Sequence, residues 1–566
     1  MCLPAEEVTD PQVQPGGRCV SAIVSVPDGG RHRNRLVMWD LGSGVAIDLL
    51  EAPEPAAGRG LSGGVHDWHP DGRSLVVVTR GEGVVRLDIA TGEATMLPLD
   101  RSRSWSTPVH SPDGSRIAIV ADWCELVVVD GDTVHSAHRA GDGYVMDAGW
   151  NGDVPTAHVW NRPEMAWTSS SILGGPDEPG VAVQQPHGRA GRFGWIDDRD
   201  GTWNVIIDGE RIEDDCEHGG PTWGPGQRAW CMNDDASMAA YVRNESGFGA
   251  LWVVDLETGD RHMIGRALHG CVSWRGDTLA AVRSGARTPQ ELVVYNLSDP
   301  AEPRKVLSFS PQRARWFPEF DAELVEPTVQ EADIVPWRLY EPVASSSRLI
   351  VWVHGGPTDQ WQVTFRPRFT HWLSRGWTIA VVDHRGTTGH GRDFRLALEG
   401  LWGVADADDT AIVARAAQNI LGIAPSRTVL MGGSAGGLSV LSAANRHADI
   451  AAAVVVSYPV VDLDLLLQGD DPFEGHYNSV LIGDVTASPN IDVRHLRDVP
   501  VLTFHGDADE LVVPDHSHRL RAAVERAGGT VTVELMPGEG HGFRDRGSIE
   551  REFRVTQDFL EETINL

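Results

Sequence analysis

The stretch RTVLMGGSAGGLSVL, residues 427–441, places one serine between two pairs of glycines. The apolar run Val429–Met431 before the glycines predicts a buried strand, and the apolar residues after them predict a helix. Gly432–Gly436 fits the pattern G-x-S-x-G in the strand–turn–helix setting that this pattern requires. In that setting the serine lies in a sharp turn with an exposed hydroxyl, and the glycines let strand and helix approach closely. The stretch therefore makes Ser434 a candidate nucleophile.

The chain around this stretch, from about residue 320 onward, alternates apolar runs with amphipathic stretches. Near-continuous β-branched runs are typical of strands covered on both faces. The alternation predicts an α/β domain with a mostly parallel sheet. The predicted strands are RLIVWVHGG (348–356), WTIAVVDHRG (377–386), RTVLMGGSAGG (427–437), AAAVVVSYP (451–459), VPVLTFHGD (499–507) and GTVTVELMPG (529–538), and the clearest predicted helices are 406–420 and 514–528.

Candidate partners for the serine follow the last two predicted strands. A serine hydroxyl needs a base and an orienting carboxylate to act as a nucleophile. Asp507, Asp509 and Glu510 come at the end of the fifth predicted strand, and His541 stands between glycines after the sixth. Such sheets place their chemistry at the carboxyl ends of the strands. The sequence therefore predicts His541 as the base and leaves the acid open among the three carboxylates.

The negative charge that develops on a carbonyl oxygen during acyl transfer needs hydrogen-bond donors. The backbone N–H of Ala435, directly after the serine, is one candidate. The second is expected at the end of the first predicted strand, in HGGP (354–357), where Gly355 and Gly356 offer backbone N–H groups without an obstructing side chain.

The first half of the chain repeats a different unit. A turn rich in Pro, Asp and Gly is followed by two short apolar strands, as in HPDGRSLVVVTRGEGVVRLDIATGE (69–93) and SPDGSRIAIVADWCELVVVDGD (111–132). Successive units lie roughly 40 residues apart, a period typical of a β-propeller. About seven blades are predicted between residues 13 and 310, the fourth, near AGWNGDVPTAHVWN, being the least distinct. A β-sandwich array is the alternative.

Length and composition limit the class of protein. A chain of 566 residues favours two domains. A net charge of -32 argues against nucleic acid and anionic membranes as partners. The six cysteines show no metal-ligand spacing, the N-terminal residues show no signal peptide, and no apolar run is long enough for a membrane span. We therefore expect a soluble, cytoplasmic protein without a metal or cofactor, and the sequence leaves homo-oligomer formation open.

With these motifs in place, the chain resembles the prolyl oligopeptidase family of serine peptidases, and most closely its acylaminoacyl-peptidase and dipeptidyl-aminopeptidase branch. The resemblance implies a gating β-propeller over residues 1–320 and a catalytic α/β-hydrolase domain over residues 321–566. The segments that carry it are, in order, DDRDGTWNV, EHGGPTWGPGQRAW, HGGPTDQW, DHRGTTGHGRDFR, GLWGVADADD, GGSAGG, HGDADELV and EGHGF.

The family resemblance also implies a role for individual residues. It makes Ser434 the nucleophile, His541 the base and Asp509, the third residue after the HG of HGDADELV, the acid. It assigns the oxyanion donors to Gly356 and Ala435. It further implies that the propeller caps the active site and excludes large folded substrates.

One position departs from the family pattern. Two residues after the acid, the peptidase branches usually carry an Arg or Asn that holds a substrate carbonyl, whereas this chain has Leu511. No clear Glu-Glu pair for a free amino terminus is present, and Glu217 is a candidate for such an anchor. We predict a serine hydrolase that cleaves amide bonds of small peptides, acyl-peptides or aminoacyl amides. The alternatives are an esterase, a specialised biosynthetic amidase, or a propeller binding scaffold on an inactive hydrolase domain.

Overall fold

The structure is a computed structural model that describes residues 6–28, 31–58, 63–160, 170–314, 316–469 and 474–564. The chain forms two compact units: one comprises Ala5–Trp316 together with Gln362–Phe365, and the other comprises Phe317–Trp361 together with Arg366–Leu566. Within the described ranges, no helix combines the length and the apolar character needed to cross a membrane.

Seven antiparallel sheets, each built from consecutive strands, make up the first unit and confirm the predicted seven-bladed β-propeller. The fourth blade shows three strands in its described part, and residues 161–169 of its repeat lie outside the described residues. The strands, blade by blade, are Glu7–Val13, Cys19–Asp28, Arg31–Asp40 and Ala46–Leu50; His66–Trp68, Ser74–Thr79, Gly83–Asp88 and Ala94–Met96; Trp105–His110, Arg116–Ala121, Glu125–Asp130 and Thr133–Arg139; Tyr144–Asn151, Val154–Trp160 and Ser170–Ile172; Val183–Arg189, Arg192–Asp197, Asn204–Ile207 and Glu210–Arg211; Trp230–Met232, Met238–Glu245, Phe248–Asp255 and Arg261–Arg266; and Leu268–Arg275, Thr278–Gly285, Thr288–Asn296 and Arg304–Phe309.

Apolar side chains pack between neighbouring blades and close the ring. Val76 and Val78 of the second blade share a buried cluster with Ile117 and Ile119 of the third. Such alternate positions point to one face of a strand, which explains the period-two pattern of each repeat. The first and seventh blades meet through a hydrogen bond of 3.0 Å from the amide of Val13 to the hydroxyl of Ser273, and another of 2.8 Å from the hydroxyl of Thr278 to the carbonyl of Gly17.

The second unit is built on one eight-stranded sheet in the order β1-β2-β4-β3-β5-β6-β7-β8. Its strands are β1 (Thr328–Ala332), β2 (Val335–Tyr340), β3 (Arg348–Val353), β4 (Trp377–Val382), β5 (Thr428–Gly433), β6 (Ala453–Ser457), β7 (Val501–Gly506) and β8 (Val531–Met536). The pairs from β4 through β8 are parallel, and the hairpin of β1 and β2 joins the sheet antiparallel at its edge. The predicted α/β-hydrolase domain is confirmed, and the antiparallel hairpin is an addition that its short, mixed sequence did not reveal.

Helices cover both faces of this sheet. They are α1 (Pro367–Leu373), α2 (Arg392–Leu396), α3 (Ala405–Leu421), α4 (Ala435–Arg446), α5 (Leu463–Leu467), α6 (Glu474–Leu481), α7 (Asp515–Arg526) and α8 (Arg546–Thr563). Adjacent residues of a strand face opposite layers: Val351 belongs to the core under α3 and α4, and Ile350 belongs to the core under α1 and α8. Double coverage explains why these strands are apolar throughout rather than alternating.

Candidate active site

Ser434 occupies the turn between β5 and α4. Its backbone has φ 54° and ψ -124°, a conformation that side-chain-bearing residues rarely adopt. The turn is fixed to the neighbouring strand, because the amide of Ser434 donates to the carbonyl of Ser457 at 3.0 Å and the amide of Val460 donates to the carbonyl of Ser434 at 3.1 Å. The sheet therefore maintains the strained turn that presents the hydroxyl.

The glycines beside the serine are required by close packing. A Cβ on Gly432 would lie 2.3 Å from the carbonyl oxygen of Gly436, and a Cβ on Gly436 would lie 2.4 Å from the carbonyl oxygens of Val353 and His354. Contacts this short are not tolerated, so any side chain at either position would push α4 away from β3 and β5. Gly432 and Gly436 are therefore explained by the close approach of helix to sheet.

The structure brings Ser434, His541 and Asp509 together. The Oγ of Ser434 lies 3.0 Å from Nε2 of His541, and Nδ1 of His541 lies 2.8 Å from Oδ2 of Asp509. At these distances the three side chains form a continuous chain of hydrogen bonds from the serine hydroxyl to the aspartate carboxylate. The imidazole is about a quarter exposed, at 24%, while the Asp509 carboxylate is fully buried. The geometry is that of a nucleophile, a base and an orienting acid.

Asp509 is held by the backbone of its own loop. Its Oδ1 accepts hydrogen bonds of 3.0 Å from the amides of Leu511 and Val512, which leaves Oδ2 for the histidine. Asp507 has a different role: it is exposed, and its Oδ1 accepts a 2.6 Å hydrogen bond from the amide of Gly538. The structure therefore places the carboxylate of Asp509, and not that of Asp507, on the imidazole.

A buried histidine supports the acid, and sequence reasoning did not identify it. His505 Nε2 donates to the carbonyl of Val512 at 2.7 Å, and its Nδ1 accepts from the hydroxyl of Ser517 at 2.7 Å. Burial lowers the pKa of His505, and the two hydrogen bonds hold the ring in one tautomer. Its Nε2 lies 3.6 Å from Oδ2 of Asp509. The ring fixes the loop that carries the acid.

Glu539 has a similar role in the histidine loop. Its carboxylate is buried and accepts from the amide of Arg544 at 2.9 Å and from that of Asp545 at 2.8 Å. Its carbonyl accepts from the amide of Ala508 at 3.0 Å, which ties the loop of His541 to the loop of Asp509. The motif EGHGF contains this glutamate, but its sequence alone gives no sign that the carboxylate turns inward.

The candidate oxyanion donors lie on two loops. Ala435 is the first residue of α4, where backbone amides have no partner within the helix. Gly355 and Gly356 follow β3, and a Cβ on Gly355 would lie 3.5 Å from Cβ of Ser434, so this loop passes beside the serine. Gly356 has φ 126°, which only glycine adopts readily.

The loop from Gly355 to Trp361 is anchored at its beginning by His354. The imidazole is fully buried; its Nδ1 donates to the carbonyl of Gly355 at 2.8 Å and its Nε2 accepts from the hydroxyl of Thr387 at 2.8 Å. Burial lowers the pKa of His354 to about 3, so the imidazole is neutral near neutral pH and is a weak proton acceptor.

The end of the same loop is anchored by a buried ion pair. Arg338 binds Asp383 through two hydrogen bonds of 2.6 and 2.7 Å, and the Arg338 guanidinium also donates to the carbonyl of Trp361 at 3.0 Å. Gln360 donates to Asp383 at 2.8 Å. Burial alone would raise the pKa of Asp383, but the charge of Arg338 and the hydrogen bond from His390 hold it well below its usual range. The loop is therefore fixed by a permanently charged pair.

The two predicted substrate-binding residues are placed differently. Leu511 is half-buried beside Asp509, and its amide is one of the two donors that hold the acid. Glu217 lies in the propeller unit, in a bridge with Asn244, and only 2% of its surface is exposed. A role for either side chain in binding substrate stays a prediction.

One group of three potential metal ligands occurs among the described residues, in the propeller unit. Asp214, Asp215 and Cys216 bring their ligand atoms within 4.8 Å of one another. The carboxylate of Asp214, however, forms an ion pair of 2.9 Å with Nε of Arg243 and lies 3.2 Å from Nε2 of His218. The charge of this group is compensated by the protein itself.

Comparison with known proteins agrees with the fold and the motifs. Residues 363–566 match the model described as "Prolyl oligopeptidase family", which confirms the predicted resemblance over this part of the chain. Dipeptidyl aminopeptidase BIII of Pseudoxanthomonas mexicana is 28% identical over 226 residues, 38% of this chain and 32% of that protein. Acylamino-acid-releasing enzyme of Rattus norvegicus is 25% identical over 259 residues, 43% of this chain and 35% of that protein. The matched part spans about a third of the length of these relatives.

Among solved structures, a puromycin-hydrolyzing peptidase of Mycobacterium tuberculosis is similar to this chain with a TM-score of 0.83 at 22% sequence identity. The likeness covers 99% of this chain and 95% of that one. At this identity the likeness shows the fold, a β-propeller followed by an α/β-hydrolase domain.

Proposed function

We propose that the protein is a serine hydrolase that cleaves amide bonds of small substrates through an acyl-enzyme. The observation that carries this proposal is the unbroken hydrogen-bond chain of 3.0 and 2.8 Å from Ser434 through His541 to Asp509, at the strained turn after β5. A structural serine needs neither that backbone conformation nor that orientation of partners. The family match over residues 363–566 supports the same reaction class.

In the first half-reaction, Oγ of Ser434 attacks the substrate carbonyl carbon while Nε2 of His541 takes the hydroxyl proton. Asp509 keeps the imidazole in the tautomer with Nδ1 protonated and stabilises the imidazolium that forms. The amides of Gly356 and Ala435 donate to the carbonyl oxygen as it becomes negative. When the tetrahedral intermediate collapses, the carbon–nitrogen bond breaks and His541 returns its proton to the leaving amine.

In the second half-reaction, His541 takes a proton from water, and the hydroxide formed attacks the ester carbonyl of the acyl-enzyme. A second tetrahedral intermediate collapses with cleavage of the bond to Oγ, and the proton returns to Ser434. Each step uses only protein groups and water, and the proposed reaction requires no metal or cofactor.

The substrates we propose are short peptides, acyl-peptides and aminoacyl amides. The relatives are named for dipeptidyl aminopeptidase and acylamino-acid-releasing activities, and the structural neighbour is named for hydrolysis of puromycin. Leu511 favours amides that lack an extended peptide backbone, because its side chain offers no hydrogen bond to a substrate carbonyl. An esterase or a specialised amidase is the second candidate for the same reason. The complete triad geometry does not favour an inactive scaffold.

Residues 1–320 are proposed to act as a gate for residues 321–566, and the protein is proposed to act in the cytoplasm, without nucleic acid or membrane as a partner. A gate predicts that the full chain hydrolyses small chromogenic esters and amides but not casein-sized unfolded chains. Efficient cleavage of casein would contradict the gating role and leave the hydrolase chemistry intact.

The test of the function combines a covalent probe with a substrate panel. We expect a fluorophosphonate probe to label the protein and peptide mapping to place the label on Ser434, with no labelling of Ser434→Ala. We then expect turnover within a panel of aminoacyl, acyl-aminoacyl and ester chromogenic substrates together with puromycin. Labelling at another residue, or full turnover by Ser434→Ala, would exclude the proposed mechanism.

A further inference from the structure

The loop that carries Gly356 has a third anchor, between its two ends. Tyr477, on α6, is buried with 4% of its surface exposed. Its hydroxyl accepts a hydrogen bond of 2.9 Å from the amide of Thr358 and donates one of 2.5 Å to the Oγ1 of the same residue. One phenol thus binds both the main chain and the side chain of Thr358.

The contact between Tyr477 and Thr358 lies close to the proposed oxyanion donor. Thr358 is two residues from Gly356, whose amide is a proposed oxyanion donor, and the chain is sharply folded between them. A Cβ on Gly356 would lie 3.1 Å from the amide nitrogen of Thr358 and 3.0 Å from Cβ of Asp359. In so tight a turn, a shift of the Thr358 amide also moves the peptide group of Gly356.

The anchors at the two ends of the loop do not replace this contact. His354 binds the carbonyl of Gly355, and Arg338 binds the carbonyl of Trp361. Both act on carbonyl groups outside the turn. Tyr477 binds an amide inside it, and the hydroxyl of Thr358 accepts the phenol proton, so that the phenol oxygen is directed at the backbone.

We propose that Tyr477 is a positioning residue of the oxyanion hole, which acts through Thr358 to hold the N–H of Gly356 at the place where the oxyanion forms. This inference rests on the proposed serine hydrolase function. It assigns a role in the reaction to a residue of α6, an element that carries none of the predicted catalytic residues.

The expected effect follows from what an oxyanion donor contributes. Removing one donor outright lowers kcat by about 10²–10³-fold, and a donor that is displaced but still present loses part of this. We therefore expect Tyr477→Phe to lower kcat by about tenfold. KM is expected to change by less than about twofold, because the ground-state carbonyl depends less on this donor than the transition state does.

The experiment compares Tyr477→Phe with a matched variant, Tyr295→Phe. Tyr295 in the seventh blade is also buried, and its hydroxyl lies 3.1 Å from Nε2 of His269. Both variants remove one buried hydroxyl, so a general loss of stability affects both. Thr358→Val and the double variant Tyr477→Phe/Thr358→Val complete a cycle, and Thr358→Ser keeps the hydroxyl. For each variant, kcat and KM on one amide substrate and Ki for phenylboronic acid are measured.

We expect Tyr477→Phe and Thr358→Val each to lower kcat by about tenfold. Each should also raise Ki for the boronate by a similar factor, because the tetrahedral boronate adduct uses the oxyanion hole. The double variant should lose little more than either single variant, Thr358→Ser should restore most of the kcat lost in Thr358→Val, and Tyr295→Phe should keep wild-type kcat. An active wild type whose kcat is unchanged in Tyr477→Phe, or falls equally in Tyr295→Phe, overturns the inference alone. A wild type without Ser434-dependent turnover overturns the proposed function and this inference with it.

Discussion

Among the described residues, one Ser–His–Asp constellation in the hydrolase unit and one in the propeller have similar distances and different surroundings. In the hydrolase unit, Ser434 lies 3.0 Å from His541, which lies 2.8 Å from Asp509. In the propeller, Oγ of Ser21 lies 2.8 Å from Nε2 of His66, and Nδ1 of His66 lies 3.2 Å from Oδ2 of Asp10. The distances alone do not separate a candidate triad from a structural network.

Access to substrate separates them first. Ser21 is fully buried and His66 is 1% exposed, whereas Ser434 is half-buried and the His541 side chain is 24% exposed. The oxygen of Ser21 also accepts a 2.9 Å hydrogen bond from the indole N–H of Trp68, so it is packed against its neighbours and no carbonyl carbon can approach it.

The backbone separates them second. Ser21 lies within a central strand and is paired with Gln12 on one side and Met38 on the other. Amides of a paired strand are engaged in the ladder and cannot stabilise an oxyanion. Ser434 stands before a helix, whose first amides have no partner within the helix. A catalytic triad therefore needs the turn, the helix and the oxyanion loop as much as its three side chains.

The largest expected effect comes from the same substitution at each serine. Ser434→Ala should lower kcat/KM by about 10⁴-fold or more, because the nucleophile is lost. Ser21→Ala should leave kcat/KM within about twofold of wild type. Both are measured on one chromogenic substrate with enzyme purified from a host that lacks background activity. Comparable losses in the two variants would remove the distinction between the constellations.

The second largest loss of activity is expected when the proposed catalytic acid, Asp509, is replaced. Asp509→Asn should lower kcat by about 10²–10⁴-fold, because an amide that donates to Nδ1 favours the wrong tautomer of His541. Asp507→Asn is the matched control in the same loop; it keeps an oxygen for the amide of Gly538 and should retain most activity. Steady-state kinetics of the two variants decide the matter, and equal losses would contradict the placement of the acid.

Much of the fold could be predicted because the sequence contains two clear patterns, one in each half of the chain. The propeller follows from a turn-rich repeat of roughly 40 residues, and the hydrolase sheet from β-branched runs that are buried on both faces. The hairpin of β1 and β2 was missed because β1 is short and largely exposed and β2 interrupts its apolar residues with Pro336 and Arg338, so neither pattern applies to them. The fourth blade is the least distinct in the sequence, yet its described part shows three paired strands.

Some residues of the candidate site could be predicted from the sequence and others could not. Ser434, Asp509 and His541 follow strands and belong to short motifs, so sequence reasoning identified them. His505, Glu539 and Tyr477 support the site through buried polar contacts whose partners are distant in sequence or belong to the backbone. No local pattern distinguishes an inward-turned glutamate or tyrosine from an ordinary one. The family motif EGHGF was the one available signal for Glu539.

A smaller effect is expected on substrate preference when Leu511, beside the catalytic acid, is replaced. Leu511→Arg keeps the backbone amide that holds Asp509 and adds a donor for a peptide carbonyl. A charged hydrogen bond contributes about 1.5–3 kcal/mol, so the ratio of kcat/KM for a peptide to that for a simple acyl amide should rise by about tenfold or more. Both substrates are measured with one enzyme preparation. If both activities fall together, or the ratio is unchanged, Leu511 does not determine the substrate class.

The smallest effect on activity is expected at the buried constellation, where the effect falls on stability. Ser21→Ala leaves the indole N–H of Trp68 and Nε2 of His66 without their partner, and a buried unpaired group costs about 1–3 kcal/mol. The urea midpoint of the propeller should fall while kcat stays at the wild-type value. Ser434→Ala should show the reverse, with its urea midpoint unchanged, because His541 is about a quarter exposed and can bond to water instead. A stability loss in Ser434→Ala but none in Ser21→Ala would mean that the propeller serine is not part of a network that holds its blades.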